Sequence, residues 1–404
     1  MITGFDDYQQ RHKVFSKPII EPGLEAIKTV LAALGNPHHQ LRVIHVAGTN
    51  GKGTTVAYTS ALCRAHQLKT GVFMSPAIVD VHDQIQCDGQ AITREAMDEI
   101  FIQLKPFSNQ LTEFELLTVV ALLYFVAQKV DVAIVEAGLG GLEDATNVVL
   151  PVVSIITSIA LEHTQFLGNT LASIAYHKGG IIKQAPVVVG RVPEEAHVVL
   201  RALAQDVPYY QIGEQIFVTA ASYKFKTTTL TNLTRQLKGT RQADNMALAL
   251  TAFLQLGIPL QAERAKQAIA NTTLPARFEE IVPNVFFDGA HNEASARELV
   301  TTLQTYYPAT KVTFVVGILK DKAIADVLRV LEQVSDTFYF VSFANERAAT
   351  AQDVLQMSRA KVKQETTAIR DTIMAKRDGI TVVTGSLYLL AQLREIILCQ
   401  TDAQ

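Results

Sequence analysis

Cysteine is scarce. Cys63, Cys87 and Cys399 lie far apart, with no Cys-x-x-Cys among them. Three thiols cannot all pair within one chain, which argues against a disulfide framework or a zinc ribbon and for a reducing compartment. A basic excess is missing too. The formal net charge is −3, whereas proteins that read nucleic-acid phosphates carry a positive surplus, so no nucleic-acid partner is expected. The opening MITGFDDYQQRHK is polar and lacks the apolar run of a secretory signal. The greasiest stretch, 114–127, falls short of the about 20 apolar residues that span a bilayer, and it carries Glu115 and Thr118. No membrane partner is expected, and the reading is a soluble, cytoplasmic protein. Low-complexity tracts and short solenoid repeats are also lacking.

What is present is apolar material. Hydrophobic residues make up 48% of 404 positions, enough for two cores of ordinary size. Val/Ile-rich runs at 41–47, 70–73, 131–137, 152–159 and 186–190 alternate with helical stretches that include 54–66 and 114–127. Such alternation marks a parallel sheet covered on both faces. The Thr- and Tyr-rich stretch 209–234 has hairpin-like alternation and is predicted as an antiparallel appendage. Helices at 241–256 and 260–270 lead to a break at Pro275. Strand and helix then alternate again, with strands in NVFF and at 311–317, 337–343 and 379–385, and helices at 293–306 and 324–334 and at the end.

Between the first strand and its helix lies His45-Val-Ala-Gly48-Thr49-Asn50-Gly51-Lys52-Gly53-Thr54-Thr55. This is where a phosphate cradle belongs. Glycines let backbone N–H groups approach a phosphate, the helix N-terminus adds its positive end, and Lys52 adds a point charge. Thr54 and Thr55 are candidates to cap the helix or to ligate Mg²⁺. The strict Walker pattern fails, because Gly53 follows Lys52 and Ala47 stands five residues before it. The predicted class is therefore α/β: a large P-loop-type domain over 1–273, with a mainly parallel sheet and a small antiparallel appendage, then a smaller Rossmann-like α/β domain over 274–404.

Other polar residues stand at strand ends. Glu136 closes an apolar strand, the place for an oxygen ligand to Mg²⁺ or for an ordinary surface carboxylate. His163 follows a buried strand, where a lone histidine is more often structural because Mg²⁺ prefers oxygen. Lys178, taken alone, reads as a solvated helix lysine. The stretch 138–147 is too glycine-rich for a helix and reads as a mobile loop. Arg277, Asp288, His291 and Ser386 fall at junctions or strand ends that could face one cleft.

The glycine after Lys52 resembles the Mur ligase superfamily, and further motifs narrow the match. In the first half they are HVAGTNGKGT, Ser75–Pro76, TEFELLT from Thr112, EAGLGG from Glu136, DATN at 144–147, TSIALEHT at 157–164, LG at 167–168 and KGGIIK at 178–183. In the second half they are RQADN at 241–245, ARFE at 276–279, DGAHN at 288–292, LKDK at 319–322 and TGSLYL at 384–389. In this order they resemble the folylpolyglutamate synthase/dihydrofolate synthase family. The resemblance implies an ATP-dependent amide ligase that adds L-glutamate to the glutamate carboxylate of a reduced folate through an acyl phosphate. It places ATP on Gly48, Thr49, Asn50, Gly51, Lys52, Gly53 and Thr54, with Asn245, Arg277 and Asp288. It places metal on Thr54, Ser75, Glu136 and His163, makes Lys178 a carbamylated lysine, and sets Asp144 near the acceptor. His291 and Ser386 fall in the glutamate-binding part, the C-terminal domain. Lys52, Lys178 and His291 are the catalytic candidates, and a monomer is implied. Dihydrofolate synthase activity in addition, or a non-catalytic nucleotide- or folate-binding relative, is the alternative.

The departures cluster near the acceptor. After Ser75–Pro76 the family commonly has His and then Glu-Arg, where this chain has Ala77, Asp83 and Gln84. Its Arg-Leu before DATN is Leu142-Glu143, the Asp before the metal histidine is Glu162, the Glu before the modified lysine is His177, and the His before the later glutamine is Arg241. A bidentate arginine contact to a carboxylate is not copied by Gln or Leu. Intact activation chemistry with altered acceptor selection is the expectation.

Overall fold

The computed structural model describes residues 4–17, 23–77 and 80–398; Cys399 lies outside them, while Cys63 and Cys87 are buried and unpaired by disulfide. Two compact units are present, Met1–Gln236 with Gln242–Thr272, and Leu237–Arg241 with Thr273–Gln404. Among the described residues no helix is long and apolar enough to cross a membrane.

The first unit is built on an eight-stranded sheet. Its strands are β1 (Val43–Ala47), β2 (Thr70–Phe73), β3 (Ile85–Cys87), β4 (Gln90–Ala91), β5 (Val132–Glu136), β6 (Pro151–Ile156), β7 (Val187–Val189) and β8 (Tyr209–Gln211). They lie in the order β4-β3-β2-β5-β1-β6-β7-β8. From β2 to β8 all pairs are parallel, and β3 and β4 add an antiparallel edge. β1, β5 and β7 are buried along their whole length, as apolar strands between two layers of helices must be.

Tyr209–Gln211 was expected in the appendage but pairs parallel with β7. Three residues carry no period that separates the two pairings, and burial of Tyr209 beside Leu200 and Val187 decides it. The appendage is the antiparallel sheet β9 (Ile216–Val218), β10 (Ser222–Phe225) and β11 (Thr228–Thr231). The phosphate-loop helix runs Lys52–Ala65, two residues earlier than predicted.

The second unit has β12 (Glu279–Val282), β13 (Val285–Phe287), β14 (Val312–Val316), β15 (Thr337–Phe340), β16 (Val362–Glu365) and β17 (Ile380–Thr384), ordered β12-β13-β17-β14-β15-β16. All pairs are parallel except β12 with β13. β12 and β16 were not foreseen. Both are edge strands, and β16 is exposed at every residue, so neither carries an apolar run.

The helix Glu113–Gln128 packs across the first core. Its start is set by a capping box: the Glu115 N–H donates to Thr112 Oγ1 at 3.3 Å and the Thr112 N–H to Glu115 Oε2 at 2.8 Å. Thr112→Ala should therefore destabilise the first unit by about 1 kcal/mol. Urea unfolding followed by circular dichroism measures it, and an unchanged midpoint would show that the cap adds nothing.

Candidate active site

β1 delivers the chain into the phosphate loop at Gly48 (φ 149). The loop is pinned against the end of β6. Thr49 N–H donates to Ser158 O at 2.8 Å, Asn50 N–H to Ser158 Oγ at 2.9 Å, and Thr157 Oγ1 to Asn50 O at 2.7 Å. A Cβ at Gly48 would stand 1.9 Å from Thr157 Oγ1, and one at Gly51 (φ 87) 2.4 Å from Asn245 Oδ1. Both positions require glycine.

Gly51 is the N-cap, and its helix has no side-chain cap. Thr54 and Thr55 therefore do not cap it; they sit buried inside its first turn. The first intrahelical bond runs from Thr55 N–H to Gly51 O, which leaves the N–H groups of Lys52, Gly53 and Thr54 without intrahelical acceptors. Donors and dipole together suit an anion, and the glycines let a phosphate approach.

Lysines converge behind this loop. Lys52 Nζ donates to Gly48 O at 3.0 Å and Thr49 O at 3.4 Å, and lies 4.0 Å from Glu136 Oε1. Lys178, buried near the end of the helix Leu171–Gly179, also donates to Gly48 O, at 3.0 Å. Burial and then the Lys52 charge lower its pKa to about 7, against the pull of Glu162 and Asp144.

Glu136 ends β5 opposite Val46 of β1, two residues before the loop starts at Gly48, and is buried. β2, which leads to Ser75, is its other neighbour. The buried Thr54 hydroxyl adds an oxygen on the loop side. His163 is the N-cap of the short helix Thr164–Leu167, with its Nε2 3.6 Å from Glu162 Oε1. No three His, Cys, Asp or Glu side chains gather as a metal cluster among the described residues. One carboxylate with hydroxyls fits Mg²⁺, which takes its remaining ligands from phosphate and water; the imidazole suits it less.

The 138–147 loop is packed rather than loose. A Cβ at Gly138 would meet Phe114 Cζ at 2.6 Å, and one at Gly141 the His177 and Lys178 carbonyls at 2.9 Å. Leu142 N–H donates to His177 O at 2.7 Å. The glycines keep 138–144 out of a helix and let the loop seat on the helix that carries Lys178, but the stretch ends in a short 3-10 turn, Ala145–Val148, which was not expected. Asp144 holds the loop together: it accepts from Leu139 N–H at 2.7 Å, from Thr146 N–H at 3.0 Å and from the Thr146 hydroxyl. Burial raises its pKa while those bonds oppose the rise.

In the second unit Arg277, Asp288, His291 and Ser386 come together around the C-terminal ends of β13 and β17, which are parallel neighbours. Asp288 accepts from Phe278 N–H and Ala290 N–H, each at 3.0 Å. Burial raises its pKa, opposed first by Arg277. His291 Nδ1 lies 2.8 Å from Gly289 O; a carbonyl only accepts, so Nδ1 carries the proton. The buried Ser386 Oγ accepts from Tyr388 N–H at 3.2 Å, and Gly385 N–H reaches Ala290 O at 3.0 Å.

Thr157 and Ser158, which hold the loop backbone, open the TSIALEHT motif but were given no role from the sequence. The available signal was their place after β6, the sheet neighbour of β1. Asn245, by contrast, was named, and it stands against Gly51.

The Mur ligase middle domain matches residues 46–253, and the dihydrofolate synthetase C-terminal domain matches 276–396. A dihydrofolate synthase/folylpolyglutamate synthase of Bacillus subtilis is 33% identical over 98% of this chain and 99% of its own length. The Escherichia coli FolC structure in complex with DHPP and ADP superposes with a TM-score of 0.91 at 32% identity, covering 98% of each chain. A Yersinia pestis bifunctional folylpolyglutamate synthase/dihydrofolate synthase complexed with AMPPNP and Mn ion gives a TM-score of 0.88 at 30% identity, covering 97% of this chain and 98% of that one. A phosphate loop with glycine after its lysine, a second lysine on the same carbonyl and relatives matched along nearly their whole length lead to one conclusion: the chain belongs to the folylpolyglutamate synthase/dihydrofolate synthase family of Mur-type ligases.

Proposed function

We propose that this protein is an ATP-dependent amide ligase that adds L-glutamate to the glutamate carboxylate of a reduced folate. The observation that carries the reading is the convergence of Lys52 and Lys178 on the Gly48 carbonyl, with Glu136 4.0 Å from Lys52, at a helix N-terminus open to phosphate. A carboxylate is a poor electrophile. Transfer of the γ-phosphoryl group breaks its bond to ADP and forms an acyl phosphate. The glutamate amine then attacks the acyl carbon, loses a proton, and inorganic phosphate leaves. Gly48, Thr49, Asn50, Gly51, Lys52, Gly53, Thr54 and Asn245 are assigned to ATP, with Lys52 holding charge on the transferring group. Thr54, Ser75, Glu136 and His163 are assigned to metal; bound Mg²⁺ would neutralise phosphate charge there. Arg277 and Asp288 are assigned to the nucleotide, His291 and Ser386 to glutamate, and Asp144 to ordering the acceptor loop. The working form is a cytoplasmic monomer, which sedimentation velocity tests: a single species near 44.2 kDa is expected and a dimer would refute it.

Phosphate release with each component omitted in turn tests the function. Turnover should require ATP, folate and glutamate together. ADP formation without glutamate and without phosphate release would point to a kinase, and no turnover under any condition to a non-catalytic relative. Lys52→Ala should abolish ligation with an unchanged circular dichroism spectrum. Glu136→Gln should shift the Mg²⁺ titration and slow turnover on the order of 10²-fold. An unaltered titration would remove Glu136 from the metal shell.

Lys178 is assigned as a carbamate. The reaction needs a neutral amine, which adds CO₂ and releases a proton, and a pKa of about 7 supplies that form at neutral pH. Density or mass spectrometry of the active, ligand-bound enzyme should show the carbamate. An unmodified lysine there would overturn it.

The changes at Ala77, Gln84, Leu142 and His177 bear on the acceptor. A tetrahydrofolate should be used with a higher kcat/KM than dihydropteroate at saturating ATP and glutamate. Equal or better use of dihydropteroate would show that dihydrofolate synthase activity is retained.

A further inference from the structure

The backbone on either side of Arg277 is strained. Ala276 (φ 58) and Phe278 (φ 46) both occupy the left-handed region, which residues with a side chain rarely adopt. Such a turn persists only where its surroundings hold it, and here each flanking N–H is taken by a carboxylate. Phe278 N–H donates to Asp288 Oδ2 at 3.0 Å, and Ala276 N–H to Glu279 Oε2 at 2.7 Å. Gly289 N–H closes the loop onto Ala276 O at 3.0 Å.

Glu279 is itself braced. Its Oε2 also accepts from Arg394 Nη2, which projects from the last helix, Leu387–Leu398. On the other side, the Phe278 ring stacks on Phe286 with centroids 4.7 Å apart and packs against Tyr307. The Lys238 ammonium caps these rings, 5.2 Å from the Tyr307 centroid and 2.9 Å from its hydroxyl. The guanidinium is itself tied to this turn, since Arg277 Nη1 donates to Ala276 O at 3.4 Å.

We propose that Glu279, braced by Arg394, is a positioning residue of the nucleotide site: it holds the left-handed turn that presents the Arg277 guanidinium to phosphate. This rests on the assignment of Arg277 to ATP made above. Glu279 acts through the backbone of Ala276 and touches no reacting atom. If the pair only fastened the last helix, its loss would lower stability without changing nucleotide affinity.

The test is ADP binding by titration calorimetry, together with the KM for ATP, in Arg394→Met and Glu279→Gln. Methionine keeps the packing of the arginine stem, and glutamine keeps an oxygen for Ala276 N–H while losing the charge. The ADP Kd and the ATP KM should rise about tenfold in Arg394→Met, the scale that one residue's backbone strain sets. The kcat at saturating ATP and the KM for glutamate should stay at their wild-type values. Adding Ala276→Gly should recover most of the affinity, because glycine adopts positive φ without that strain. An unchanged ADP Kd alongside a lowered unfolding midpoint would overturn the proposal. Arg277→Ala, measured in parallel, separates the two claims. Lost affinity in Arg277→Ala with none lost in the other variants overturns the positioning role alone. Unchanged affinity in Arg277→Ala refutes the nucleotide assignment instead. If Arg394→Met does not fold, Arg394→Lys gives the same readout, since a lysine keeps the charge but not the planar fork.

Discussion

The carbonyl of Gly48 accepts from two lysine side chains, Lys52 and Lys178, each at 3.0 Å. Glu136, with its Oε1 4.0 Å from Lys52 Nζ, supplies a negative charge on that side. The two lysines differ in how firmly they hold their protons. Lys52 keeps some contact with water, while Lys178 is buried and yields its proton more easily, with a pKa near 7. The helix N-terminus beside them adds further positive potential. Lys52 and the helix N-terminus thus give the loop a positive potential that suits a phosphate.

Close backbone packing makes that arrangement possible. Gly48 lies against Thr157 and Gly51 against Asn245, so the loop is shaped from outside by the end of β6 and by the helix Arg241–Gln255. The same device recurs at 138–147. Gly141 sits on the carbonyls of His177 and Lys178, and Gly180 lies with its would-be Cβ 2.5 Å from Leu142 Cα. The loop expected to order an acceptor and the helix carrying the buried lysine thus form one packed piece. A side chain on either glycine would push the two apart.

In the second unit polar groups constrain one another in the same spirit. Asp288 spends both oxygens on backbone N–H groups, and Asn292 caps the helix Glu293–Tyr306 through a box with Ser295. These bonds fix where Arg277, His291 and Ser386 stand at the ends of β13 and β17. Strand ends of a parallel sheet leave backbone groups without ladder partners, and side chains in the turns take them up.

Some of this was legible in the sequence. Runs such as VIHVA and VAIVE, alternating with helices, determined a parallel α/β sheet, because only strands buried on both faces are continuously apolar. The helix Glu293–Tyr306 was legible to the residue, since Asn292 before it marks its start. Glycines around Lys52 marked the phosphate loop, as local backbone freedom is a property of residue type. The edge strand β16, the pairing of Tyr209–Gln211 and the work of Thr157 and Ser158 were not legible. Each depends on a partner far away in the chain. The burial of Lys178 and its convergence with Lys52 on one carbonyl likewise belong to the tertiary structure alone, because 126 positions separate them in sequence (178 − 52) and only the folded sheet brings their charges within reach of each other.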